Sequence, residues 1–151
     1  MTSYTYYVGP KYMNFIAPFD HDLDTTRNGN IYYRSTNIAQ TLNQIGQEIN
    51  SLKYSNRTNY MPTNAFIVTW YTVPYYISLS TSSNVYESFQ IILSTDGSNS
   101  FLTINYGTLG FSASGGNYFQ YGSTRFTFTN PEYSSNVGAN GKWIFPISIC
   151  F

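Results

Sequence analysis

The one concentration of acidic side chains in this sequence is Asp20-His21-Asp22-Leu23-Asp24. Three carboxylates at alternate positions resemble the start of a calcium loop, because a hard cation takes several oxygen ligands brought together by a turning backbone. Asp20, Asp22 and Asp24 are therefore the candidate metal ligands, with calcium as the candidate ion. An EF-hand loop would need Gly at its sixth position and Glu at its twelfth, and this chain has Thr25 and Ile31 there. The alternative is a solvated or hydrogen-bonded acidic turn, since in a strand all three carboxylates would share a face and repel. His21 is the only histidine. Catalysis by it would need a nucleophile or metal partner that the sequence does not mark, so it reads as a surface or ion-paired residue.

Other chemistry is weakly marked. A glycan hydrolase would draw on Asp20, Asp22, Asp24 and Glu87, with aromatic rings to stack on sugars, but nothing fixes a pair of carboxylates across a cleft. The glycine-rich stretch from Gly107 to Gly122 lacks the G-x-G-x-x-G spacing, and no P-loop lysine follows it. Asn56-Arg57-Thr58 is the one N-glycosylation sequon, which makes Asn56 the candidate modification site. Cys150 has no partner within the chain for a disulfide and reads as a half-buried thiol in a last strand. The expectation is a protein without catalytic residues and without a cofactor, calcium apart.

Composition narrows the class. Basic and acidic residues balance at 7 each, and only 9% of the chain is charged, against about 25% in ordinary soluble domains. The surface must then be neutral and polar, supplied by Ser, Thr, Asn, Gln and 16 Tyr. Lys and Arg are not clustered, which argues against nucleic acid as a partner. Low net charge weakens repulsion between copies, so self-association is expected to be open to this chain. No apolar run is long enough to span a membrane. The N-terminus, MTSYTYYVG, has neither the basic nor the apolar region of a signal peptide, as in a mature or recombinant fragment or a cytosolic chain.

The elements that must position these residues are mostly strands. Glu87 to Gly107 carries two alternating runs: Phe89, Ile91 and Leu93 on one face of the first, Leu102, Ile104 and Tyr106 on one face of the second. Asp96-Gly97 lies where the chain must reverse, so the stretch reads as a β-hairpin whose loop exceeds two residues if Ser94 to Ser100 is all turn. Asn28-Gly29-Asn30 turns the chain into a strand over Ile31 to Arg34, and Ala65 to Val73 is a strand covered on both faces that Pro74 ends or places near an edge. Arg125 to Thr129 alternates. In Lys142 to Phe151, Trp143, Phe145, Ile147, Ile149 and Phe151 share one face, with Pro146 pointing to an edge or bulge. Only Asn37 to Lys53 changes period: Ile38, Leu42, Ile45, Ile49 and Leu52 form one helical stripe, with Ser35 and Thr36 placed to cap it and Lys53 in its last turn. The first residues, 1–14, form a tyrosine-rich arm or edge strand in which Tyr4, Tyr6 and Tyr7 are the candidate interaction residues.

Taken in order, several segments resemble the NIDO domain, the extracellular nidogen-like module also found in tectorins and membrane mucins. They are Ala17-Pro18-Phe19 before Asp22-Leu23-Asp24, Gly29 to Arg34 before the helix, and Phe66 to Trp70. The series continues through Ser88 to Ser98, Phe101, Asn105-Tyr106-Gly107 and Gly110 to Ala113, and closes on Ser135 to Gly138, Gly141-Lys142-Trp143 and Phe145. Family members tend to carry a longer insert after Asn-Tyr-Gly, where here only Thr108 and Leu109 precede Gly110. They also usually sit among EGF-like or other extracellular domains. The resemblance implies an extracellular matrix or adhesion role with no known chemistry.

The expected fold is mainly β: one NIDO-like domain over 15–151, built as a β-sandwich or curved antiparallel sheet with one packed amphipathic helix at about 37–53. The expected function is a non-catalytic extracellular structural module acting by protein–protein association with itself or other extracellular proteins, and open to assembly into filaments. A glycan-binding module is the alternative and a glycan hydrolase the lesser one.

Overall fold

The computed structural model describes residues 16–19, 22–51, 59–76, 85–110, 117–121, 124–128 and 130–147. In chain order the elements are β1 (Asn30–Thr36), α1 (Ala39–Ser51), β2 (Asn64–Pro74), β3 (Tyr86–Thr95), β4 (Ser100–Leu109), β5 (Asn117–Tyr121), β6 (Thr124–Phe128) and β7 (Lys142–Ile147). Five strands make one sheet in the order β1-β2-β3-β4-β7, with every pairing antiparallel, and β5 and β6 pair with each other.

The central hairpin is β3–β4. Thr95 pairs with Ser100, so the turn is the four residues Asp96 to Asn99. Asp96 holds it: its Oδ1 accepts the N–H groups of Ser98 (2.8 Å) and Asn99 (2.6 Å), while Gly97 takes a φ of 92° that suits glycine. This turn sets the register that places Leu93 beside Leu102, Ile91 beside Ile104 and Phe89 beside Tyr106. The expected shared face follows from those pairs. Thr108 and Leu109 continue β4 as strand, which leads directly to Gly110.

The helix is shorter at its start than the sequence stripe suggests. The Thr36 hydroxyl accepts the Ile38 N–H at 3.2 Å, and this local turn keeps Ile38 outside the helix, where it is 56% exposed. Both expected caps, Ser35 and Thr36, belong to β1. Leu42, Ile45 and Ile49 are buried as expected; Leu52 and Lys53 lie outside the described residues. Gly46 lets the helix approach the following segment, since a Cβ there would lie 3.0 Å from the Tyr60 carbonyl.

The sheet buries apolar side chains on both faces. On the helix side, Leu42, Ile45 and Ile49 pack with Tyr60, Ala65, Ile67, Ile92, Phe101 and Ile144. On the other, Phe89, Ile91, Leu102, Ile104, Tyr106 and Ile147 form a second core with Phe19. Trp70, Trp143 and Phe145 pack against that core, and the Trp70 ring stacks on Phe89 at 4.6 Å. The Tyr106 hydroxyl donates to the Pro18 carbonyl and ties the 16–19 segment to this face. β2 is covered on both faces only in part. Near the β1 side Phe66 and Tyr71 remain exposed, because one strand beyond β2 is too little sheet to bury them.

Candidate functional site

Asp22 and Asp24 lie on a short extended segment that docks on the end of β2: the Asp24 N–H donates to Pro74 O, and the Tyr76 N–H to Asp22 O. The Asp24 carboxylate is already engaged, with Oδ1 accepting both the hydroxyl and the N–H of Thr26, and these two bonds hold its carboxyl below the usual carboxylate range. Asp22 is exposed. Among the described residues no three His, Cys, Asp or Glu side chains come together as metal ligands. Asp20 and His21 lie outside the described residues, as do Tyr4, Tyr6, Tyr7, Asn56 and Cys150.

Glu87, the remaining carboxylate of the hydrolase reading, is fully buried at a bulge between β3 and β4, where its Oε2 accepts the Gly110 N–H at 3.1 Å. That bond positions the end of β4.

A groove of about 410 Å³ lies between α1 and the adjoining face of the sheet. Its floor crosses three strands. Thr69, Gln90 and Asn105 are register neighbours on β2, β3 and β4, and their side chains are linked: Asn105 Nδ2 donates to Gln90 Oε1 (3.4 Å), and Gln90 Nε2 donates to Thr69 Oγ1 (2.7 Å). Tyr32 and Arg34 of β1 form one wall, and Gln44 and Glu48 of α1 the other. Glu48 is paired with Lys142 of β7 at 2.8 Å. Among the described residues the Arg34 guanidinium has neither an ion pair nor a hydrogen bond. The sequence left one signal of this site. Gln90 and Asn105 interrupt otherwise apolar or β-branched runs, and the turn register then sets them opposite each other.

The two edges of the sheet differ. β7 is covered: Asn136 bonds the Ile144 backbone through both ends of its amide, Ser135 Oγ donates to Lys142 O (2.7 Å), and Pro146 offers no N–H. β1 is bare. Among the described residues nothing pairs with its outer side, and six of its seven residues are exposed, Tyr33 at 75%.

A family model described as a nidogen-like domain matches residues 1–118, which hold β1 to β4 and α1. The chain belongs to that family. Its nidogen-like domain is 30% identical to alpha-tectorin of Gallus gallus over 88% of this chain, and 28% identical to nidogen-1 of Mus musculus over 91%. The rat nidogen-1 sequence is 27% identical over 91%. The chain spans 7% of the chicken alpha-tectorin and 14% of the mouse nidogen-1. No solved structure matches it. Among the described residues no helix is long and apolar enough to cross a membrane.

Proposed function

We propose that this nidogen-like domain is a non-catalytic extracellular structural module that works by protein–protein association, and that its copies self-assemble by adding a strand to the open edge of β1. The observation that carries the reading is the asymmetry between the edges. An unpaired strand edge is a template for another chain, and proteins that stay apart protect it. Here β7 carries that protection and, among the described residues, β1 does not. β1 also presents exposed Ile31, Tyr32 and Tyr33, side chains that gain by burial while the tyrosine hydroxyls keep a hydrogen bond. The segment Met1 to Tyr7 of a second copy, with Tyr4, Tyr6 and Tyr7, is the added strand. Zero net charge lowers the repulsion that would oppose assembly. Family membership supports the extracellular setting, and the buried, backbone-bonded Glu87 supports a non-catalytic role.

Light scattering and electron microscopy of the purified chain test this. Wild type should form large assemblies that are lost both on deleting residues 1–7 and in the double variant Ile31→Lys, Tyr33→Lys, whose charges block strand addition. A strict monomer at high concentration sinks self-assembly. Assembly that survives both changes sinks the β1 mechanism.

A further inference from the structure

The groove between α1 and the sheet shares a wall with the β1 edge, but its floor lies further into the sheet and is lined by groups with unused hydrogen-bonding capacity. We infer that it binds an acidic sugar unit of a glycan, with Arg34 taking the anionic group and Gln90 and Asn105 the neighbouring hydroxyls.

Three features lead to that chemistry. First, Arg34 is a fixed positive charge at the wall of a groove whose one lining carboxylate, Glu48, is already neutralised by Lys142. A guanidinium presents a planar fork of donors that matches a carboxylate or a sulfate group, and this one has no such partner among the described residues. Second, the Asn105–Gln90–Thr69 chain spends the Gln90 oxygen and one N–H of each amide. That leaves the Asn105 oxygen and a second N–H on each amide, so donors and an acceptor stand side by side on a rigid sheet. Vicinal hydroxyls, which donate and accept at once, match such a row. Third, Tyr32 is 57% exposed at the wall beside the polar row, giving a ring face for the C–H face of a pyranose ring. The volume, about 410 Å³, lies in the range of small-molecule sites, roughly 300–1,000 Å³. An acidic peptide would satisfy Arg34 but would leave the amide row facing a backbone whose groups are spaced for a strand partner, so the sugar fits better.

Titration of ¹⁵N-labelled full chain, held below the concentration at which it assembles and followed by NMR, tests the inference with three probes: a hyaluronan tetrasaccharide carrying carboxylates only, a chondroitin sulfate tetrasaccharide, and neutral cellotetraose. An acidic Asp-Glu tetrapeptide is the competitor class. The expected result is saturable shifts of the Gln90 and Asn105 side-chain amides with an acidic saccharide and none with cellotetraose. Binding of hyaluronan assigns the carboxylate as sufficient, and binding of the chondroitin probe alone assigns the sulfate. Arg34→Gln, an exposed change that keeps the fold, should weaken binding about tenfold or more. Gln90→Leu should weaken the acidic saccharide as well. Cellotetraose binding as tightly, equal shifts with the peptide, no binding by any saccharide, or an Arg34→Gln variant of unchanged affinity and unchanged thermal midpoint would each overturn it.

Discussion

Asn136 brackets Ile144: its Oδ1 accepts the Ile144 N–H at 2.9 Å, and its Nδ2 donates to the Ile144 carbonyl at 2.7 Å. One side-chain amide thereby stands in for a strand partner along the outer edge of β7. Replacing Asn136 by Ala leaves both backbone groups of a buried residue without partners. The expected cost is about 2–4 kcal/mol in urea unfolding, from two lost bonds and the desolvation they had offset. The variant should also associate through β7, giving larger particles even in the chain lacking residues 1–7.

Tyr60 joins the helix end to the sheet. Asn50 bonds both its N–H and its carbonyl (2.9 Å each), its hydroxyl donates to Ser94 Oγ (2.9 Å), and its ring meets Phe101 edge-on at 4.7 Å. Tyr60→Phe keeps the ring and loses one hydrogen bond, so stability should fall by about 1 kcal/mol. Burial pushes the Tyr60 phenol up to about 12. The neutral form is favoured in the folded state, so this contribution is full below the unfolded pKa of about 10 and is lost as pH rises toward 12. Alkaline unfolding monitored by phenolate absorbance should show Tyr60 ionising late along with Tyr106, which burial also pushes up, and the late component should be smaller by one tyrosine in Tyr60→Phe.

Asp96 governs the acid limb. Its partial burial acts to raise the carboxyl, but the bonds from Asn99 and Ser98 outweigh it and hold it below the usual carboxylate range. A depressed folded pKa stabilises the fold above the unfolded value, near 3.9, and that contribution disappears as pH falls through the folded one. Asp96→Asn keeps an acceptor in the turn and removes the titration. Its stability should therefore fall less steeply than wild type on acidification, as measured by the urea midpoint at each pH.

Gly29 and Gly97 separate two reasons for glycine. Both have positive φ, 79° and 92°. A Cβ on Gly29 would lie 2.5 Å from the Thr72 carbonyl oxygen and 2.6 Å from Val73 Cα, whereas one on Gly97 meets nothing within 4 Å. Gly97→Ala should cost about 1 kcal/mol, for backbone strain alone. Gly29→Ala should cost roughly 3 kcal/mol or more, because the β2 bulge at Thr72 must also shift. Thermal denaturation of the pair measures the difference.

Much of the sheet was legible because strand alternation and turn chemistry are local. Phe89, Ile91 and Leu93 could be set on one face from spacing alone, Asp96-Gly97 marked the reversal, and Pro146 pointed to an edge that β7 proves to be. The helix was legible from its period but not its first residue. The exposed Ile38 fits the stripe, and only the Thr36 hydroxyl bond shows that it stands outside. The hydrolase carboxylates were a plausible set by type, yet Glu87 is turned inward to the Gly110 N–H.

The sequence by itself determined the nidogen-like family, the two periods and the neutral, tyrosine-rich character of the surface, since each is a property of neighbouring residues or of their sum. Which edge stands open, and where the groove lies, were decided only by the tertiary structure. Asn136 covers β7, Glu48 meets Lys142, and Thr69, Gln90 and Asn105 form one polar row through pairings between strands distant in the chain. Those partners are chosen by register and by burial on both faces of the sheet, and neither is set by any residue's immediate neighbours.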